Sequence, residues 1–229
     1  MKKKFALVII PARGGSKGIK KKNIVKLNGK PLIYYTINVA KKSKYLDDFI
    51  LTSDDKKIRN IAKKYSSKVI DRPNKYSHDK ILQEVDLLLK WTTKKYEVKY
   101  KKKVDIVVLL YPTSPLRDVK SLDKAIDMVK NKNYDSVLSL YFDTRYLWEI
   151  KNKTAKPINY DPNKRMPRQR EHWNQWAENK SIYVMKKEVL FKKGRIGKKN
   201  GFVEMEKWRS IDVDTKDDLL MAKSLIKKL

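Results

Sequence analysis

FALVIIPARGGSKGIKKKNIVKLNGKPLIYYTI, residues 5–37, changes character three times. An apolar run stops at Pro11 and Ala12, the turn Arg13-Gly14-Gly15-Ser16-Lys17-Gly18 follows, and lysines then gather at 20–22. The continuous apolar run over 5–11 predicts a strand buried on both faces. Gly14 and Gly15 spend two of the seven glycines side by side. Backbone N–H groups at a strand-to-helix turn form an anion pocket, and glycines admit phosphate oxygens close to the main chain. Arg13, Lys17 and Lys22 add fork and point charges around it. The spacing matches neither the Gly-x-x-x-x-Gly-Lys phosphate loop nor Gly-x-Gly-x-x-Gly. A plain glycine turn with surface lysines is the competing reading.

Outward from this loop, strand and helix patterns alternate. Pro31 opens a helix whose Leu32, Ile33, Ile37 and Ala40 share one face. Strands are predicted at 49–53, 68–71, 104–111 and 135–140. Helices are predicted over DDKKIRNIAKKY, along the face of Ile81, Leu82, Val85, Leu88 and Leu89, and at 118–131. Such alternation predicts an α/β fold, a parallel sheet covered by helices on both sides, in one domain spanning 1–229. Ligands of such sheets bind beyond the carboxyl ends of the strands. There the pattern places Arg13 to Lys17, Ser53 and Asp54, Arg72, and Pro112 to Arg117.

The alternation stops over 141–180, read as a small inserted lobe that carries three of the five tryptophans. Strand patterns resume at 181–185 and 208–214, and Thr215 with Asp218 predicts the cap of a last helix. On a strand, residues i and i+2 point to one face, so Asp212 and Asp214 would project together while Ile211 and Val213 face the core. Two carboxylates of this kind suit Mg²⁺, which takes one or two of them plus phosphate oxygens and water. An acidic helix N-terminus is the alternative.

Composition narrows the class. Hydrophobic residues at 41% and aromatics at 10% fit a folded chain. Without cysteine, disulfides and thiolate metal sites are excluded. No apolar run approaches the roughly 20 residues of a membrane span, and the amino terminus lacks a signal-peptide core. The expectation is a cytoplasmic protein with no membrane partner. A net charge of +30 raises nucleic acid as a partner. The lysines are spread along the whole chain, which favours a solvated cationic surface instead.

IIPARGGSKGIKKKNI, Arg72-Pro73, LLYPTSPLR (109–117), ENKSIYV (178–184) and SIDVDT (210–215) together resemble the acylneuraminate cytidylyltransferase family over nearly the whole chain. These are the synthetases of CMP–sialic acid and of related nonulosonic acids. The resemblance implies a three-layer Rossmann-like fold with a mostly parallel sheet and a small dimerisation and sugar-binding lobe. It implies transfer from CTP to a 2-keto sugar acid, with Mg²⁺, in a homodimer. It assigns Arg13, Gly14, Gly15, Ser16, Lys17, Lys22 and Asn23 to the CTP phosphates and ribose, and Arg72 to the base. Pro112, Thr113 and Ser114 fall on the floor between nucleotide and sugar. Arg168, Gln169, Asn179 and Tyr183 fall at the sugar, and Asp212 and Asp214 at the metal. Arg13, Lys17, Asp212 and Asp214 are the implied catalytic set.

The chain departs from the family pattern around base and sugar. Tyr111 stands where members usually have Gln, and Asn179-Lys180-Ser181-Ile182-Tyr183 where they have Asn-Gly-Ala-Ile-Tyr. Ser77, His78 and Asp79 replace a hydroxyl-rich stretch. An aromatic near Trp148 replaces a lysine that meets the sugar. The aromatic in place of that lysine suits an acceptor with fewer hydroxyls, a deoxygenated, N-acylated acid of the legionaminic type. A 3-deoxy-manno-octulosonate or other sugar nucleotidyltransferase is the alternative within the class, and a nucleic-acid-binding protein the alternative outside it.

Overall fold

The first strand decides the layering. In β1 (Ala6–Pro11), Ala6, Val8 and Ile10 enter one hydrophobic cluster while Leu7 and Ile9 enter another, all fully buried. The computed structural model describes residues 4–16, 18–76, 84–164 and 174–228, with no side chain for Glu84. After β1 comes a short hairpin, β2 (Lys26–Leu27) and β3 (Lys30–Pro31), turned by Asn28 and Gly29 at φ of 45° and 77°. Both central residues of such a tight turn need positive φ, which Asn and Gly tolerate.

Then follow α1 (Leu32–Lys42), β4 (Asp48–Ser53), α2 (Lys56–Lys64), β5 (Lys68–Asp71), α3 (Glu84–Tyr100), β6 (Ile106–Leu109) and α4 (Val119–Asn131). The predicted helix start at Pro31 holds, with Leu32, Ile33, Ile37 and Ala40 all buried. Asp55 caps α2 by accepting from the Lys57 and Ile58 amides, and Asp118 caps α4 through Ser121. Such caps satisfy donors that a helix start leaves unpaired. Ile81 and Leu82 lie outside the described residues.

The chain continues through β7 (Ser136–Phe142), a separate hairpin of β8 (Trp148–Lys151) and β9 (Thr154–Pro157), β10 (Trp176–Lys186), α5 (Lys187–Lys192), β11 (Asn200–Glu204) and α6 (Lys216–Leu225). The main sheet has the order β11-β7-β10-β6-β1-β4-β5. Only β10 runs against its neighbours; the β1–β4, β1–β6, β4–β5 and β7–β11 pairs are parallel. One face packs on α1, α2 and α4, the other on α3 and α5, giving three layers. A third cluster seats α6 through Leu219, Ala222 and Ile226 against Leu27, Leu32, Leu116 and Val213.

Three sequence expectations change. The strand foreseen at 181–185 begins at Trp176, because its first part pairs with the end of β7, Trp176 opposite Phe142. The strand foreseen at 208–214 does not form: residues 207–210 make a 3₁₀ turn, and 211–214 join no sheet. The last edge strand is instead β11, whose alternating burial leaves only Gly201 and Val203 covered. Between β7 and β10, Tyr146, Trp148 and Tyr160 pack on one another, with ring centroids 4.3 and 6.0 Å apart. No helix among the described residues is long and apolar enough to cross a membrane.

Candidate active site

The glycine loop lies where β1 runs out. The Ala12 amide still reaches Thr52 O at 2.9 Å, and the Gly14 amide then turns to Asp54 Oδ1 at 2.9 Å. Asn23 closes the loop from behind, its Nδ2 donating to Arg13 O at 2.8 Å. The glycines answer different demands. A Cβ on Gly14 would stand 2.9 Å from Asp55 Cβ, and one on Gly18 only 2.4 Å from the Asp214 carbonyl. Only Gly15 leaves open space. Two of the three small residues thus admit other parts of this chain, and only the middle one is left for a ligand.

The floor follows β6. Ser114 donates its amide to Tyr111 O at 3.4 Å, and its hydroxyl is buried without a partner among the described residues. Beneath it lies Arg117, 2% exposed. Its Nε donates to Ser181 O at 2.8 Å, its NH1 to Thr36 Oγ1 at 3.2 Å and its NH2 to Tyr111 O at 2.8 Å. Burial pulls the guanidinium pKa down to about 9, while Asp212 and Asp118 act to raise it. One cation therefore ties α1, the β6 exit and β10 together.

The carboxylates arrive on 211–214. The Val213 amide donates to Thr113 O at 2.7 Å and its side chain is fully buried, so Asp212 and Asp214 flank it on the open side. The extended backbone preserves the expected alternation although no strand forms. Lys22 Nζ lies 2.6 Å from Asp214 Oδ1, and Lys180 Nζ lies 3.6 Å from Asp212 Oδ2. Asp212 Oδ1 is buried with no hydrogen-bond partner among the described residues. The predicted cap is present as well: Thr215 and Asp218 form a reciprocal capping box, and Asp218 also accepts from the Asp214 amide.

The remaining wall comes from β10. Because this strand runs against the others, its first half sits at their carboxyl ends. Its pairing with β7 shifts register between Glu178 and Tyr183, and Lys180 takes a φ of 55°. Such a bulge re-aims side chains. Tyr183 donates to Glu178, and its ring meets that of Tyr111 edge-on at 6.3 Å. Burial, together with the Glu178 bond, raises the Tyr183 pKa; burial alone is the main cause at Tyr111. Arg195 completes this wall.

These segments enclose a cavity of about 650 Å³. It gathers Arg13, Ser16, Lys22, Asn23, Arg72, Pro112, Thr113, Tyr183, Asp212 and Asp214 from positions spread over the chain. Gly14, Gly15 and Ser114 shape its walls without lining it. Asn179 is placed differently from its expected role: it is 3% exposed, accepts from Ser139 and donates to Ser210 Oγ at 2.9 Å, so it braces the bulge from inside. Trp148 stands on the hairpin and does not reach the cavity. Lys17, His78, Arg168 and Gln169 lie outside the described residues. Tyr76 and Arg195 line the wall without any motif that announces them, and Glu178 and Lys180 line it from a motif that assigned them no role.

A family model described as Cytidylyltransferase matches residues 7–229. The chain belongs to the cytidylyltransferase family. Among relatives, it is 30% identical over 98% of its length to N-acylneuraminate cytidylyltransferase A of Danio rerio, of which it spans 51%. The chain thus spans about half the length of that relative. It is 27% identical to the post-translational flagellin modification protein B of Campylobacter coli, covering 97% of itself and 95% of that protein. Among solved structures, CMP:2-keto-3-deoxy-manno-octonic acid synthetase complexed with CTP shares 16% identity at a TM-score of 0.69, over 98% of this chain and 99% of that one. That likeness establishes the cytidylyltransferase fold.

Proposed function

We propose that this cytidylyltransferase-family chain activates an acidic sugar: CTP and a nonulosonic 2-keto sugar acid give CMP-sugar and pyrophosphate. The carrying observation is the Lys22–Asp214 contact, which brings phosphate-type cations and metal-type carboxylates to one cavity. The name of the zebrafish relative, an N-acylneuraminate cytidylyltransferase, supports a sugar acid as acceptor. In the reaction the anomeric hydroxyl oxygen bonds to the α-phosphorus, the bond to the β-phosphate's bridging oxygen breaks, pyrophosphate leaves, and the hydroxyl proton is lost. Such chemistry depends on positioning and charge neutralisation. Arg13, Lys22 and Lys17 would hold phosphate oxygens, Asn23 the ribose side, and Arg72, with Tyr76, the base.

Asp212 and Asp214 fit Mg²⁺. Both are hard oxygen donors, and Asp212 Oδ1 is a buried carboxylate oxygen without a partner among the described residues. Among those residues no third acidic or histidine side chain joins them, so phosphate oxygens and water would complete the set. Bound there, Mg²⁺ supplies charge neutralisation at the α-phosphate and lowers the acceptor hydroxyl's pKa. A cytoplasmic homodimer belongs to the same proposal, with the β8–β9 hairpin, whose Trp148 and Ile150 are exposed, reaching towards the partner.

The test is pyrophosphate release from CTP with Mg²⁺ across N-acetylneuraminic, legionaminic-type and 3-deoxy-manno-octulosonic acids. Turnover with a nonulosonic acid is expected, fastest with the legionaminic type. Exclusive use of the octulosonic acid would transfer the proposal to that acceptor, and no release with any acid would overturn it.

A further inference from the structure

Arg195 is the cavity cation that no motif announces. It follows α5, and Gly194 takes a φ of 104° while its amide donates to Leu190 O at 3.1 Å. A Cβ on Gly194 would lie 2.6 Å from Asp86 Oδ2, so the backbone passes against α3 and turns the next side chain inward. Arg195 Nε then lies 2.6 Å from Asp86 Oδ1 and its guanidinium carbon 5.3 Å from the Tyr183 ring centroid, the ring that Tyr111 meets edge-on.

The other cations of the cavity have different surroundings. Arg13 and Lys22 belong to the glycine loop, Arg72 follows β5, and Lys180 faces Asp212. Arg195 instead stands over the Tyr183 ring, against which Tyr111 packs edge-on. Aromatic faces there suit the C–H side of a sugar ring. A guanidinium has five N–H donors in a planar fork that matches a carboxylate in two parallel hydrogen bonds. With Nε turned to Asp86, the fork is fixed in advance, which lowers the ordering cost of binding.

We infer that Arg195, braced by Asp86 and stacked over Tyr183, receives the carboxylate of the acidic sugar and is a specificity-determining residue of this site. The inference rests on the acidic-sugar reading above. It concerns the acceptor alone: Arg195 follows α5 and stands over Tyr183 of β10, and is not part of the loop assigned to the nucleotide.

The experiment uses the best acid of the panel and its methyl ester, with R195Q, R195K and D86N beside wild type. A site built around a charge-paired group rejects an analogue lacking it strongly, so wild type should favour the acid by about 100-fold or more in kcat/KM. In R195Q the acid's KM should rise at least ~30-fold, the KM for CTP should stay within about 2-fold, and the acid-to-ester preference should collapse towards one. R195K should restore part of that preference. D86N should raise the acid's KM by about 5-fold or more through the loosened fork, and it serves where R195Q fails to fold. An unchanged acid-to-ester ratio in R195Q, or in D86N where R195Q is unfolded, overturns the inference; so does a parallel rise of both KM values. Wild-type turnover separates this from the underlying reading: no CMP-sugar from any acid removes both, whereas wild-type turnover with an unchanged ratio removes the inference alone.

Discussion

Lys22 Nζ and Asp214 Oδ1 stand 2.6 Å apart although 192 positions separate them in the chain. The lysine side chain is largely covered and the carboxylate more than half exposed. The contact closes the gap between glycine loop and carboxylate segment. On the proposed reading, a phosphate that takes Lys22 from Asp214 would leave that carboxylate to a divalent cation, so cation and nucleotide binding would be coupled at this ion pair.

Asp212→Asn and Asp214→Asn should each lower kcat by about 100-fold or more, the usual scale for losing one charge stabiliser of a transition state. Melting temperatures should stay close to wild type, because neither carboxylate holds the core. Near-normal rates in both variants at saturating Mg²⁺, or full activity after chelation with EDTA, would exclude the metal assignment.

Arg13→Ala should lower kcat/KM for CTP at least ~10-fold, since a charge-assisted contact to phosphate contributes about 1.5–3 kcal/mol. Lys102→Ala, on an exposed lysine run, is the control and should be silent. Initial rates over a CTP series decide; equal rates for Arg13→Ala and wild type would reduce the loop to a structural turn.

Gly18→Ala should be far more damaging than Gly15→Ala. The first places a methyl group 2.4 Å from the Asp214 carbonyl, the second meets nothing. Forcing the segments apart should cost about 1–3 kcal/mol in urea unfolding and lower activity, because Asp214 moves with its own backbone. Equal stability of the two variants would mean that the 211–214 segment yields freely.

Arg117→Met should destabilise by about 2–4 kcal/mol, removing the donor to Ser181 O and the shortest of the donors to Tyr111 O, although relief of a buried charge offsets part of it. Arg117→Lys should rescue little, since one ammonium cannot span three acceptors in the plane of a fork. Chemical denaturation midpoints test this, and a stable Arg117→Met variant would show that Thr36, Tyr111 and Ser181 hold the floor unaided.

The legible parts of the fold were those whose local signal and tertiary role coincide. β1 is apolar at every position because both its faces are covered, and Thr215 with Asp218 spells its cap in neighbouring residues. β11 was not legible: of Asn200 to Glu204 only Gly201 and Val203 face the interior, too little to register as a strand. Residues 208–214 carry the strand pattern but rest on Thr113 through one backbone bond rather than on a sheet. In the site, Arg13, Lys22, Asp212 and Asp214 stand in recognisable runs. Arg195 is one cation among 56 lysines and arginines, and its meaning comes only from Asp86, Tyr111 and Tyr183, which no sequence window contains. Asn179 is the opposite case, since its motif sits beside the cavity while its side chain is buried and bonded to Ser139 and Ser210.

Phe142 and Trp176 are paired across β7 and β10, and their rings meet edge-on at 5.6 Å. The chain between them, which carries the β8–β9 hairpin, therefore leaves and re-enters the sheet at adjacent strands, a separation of about 5 Å that a tight turn can span. It has the geometry of a cassette: recombination could swap, shorten or replace it while the strand order and the walls of the cavity stay as they are.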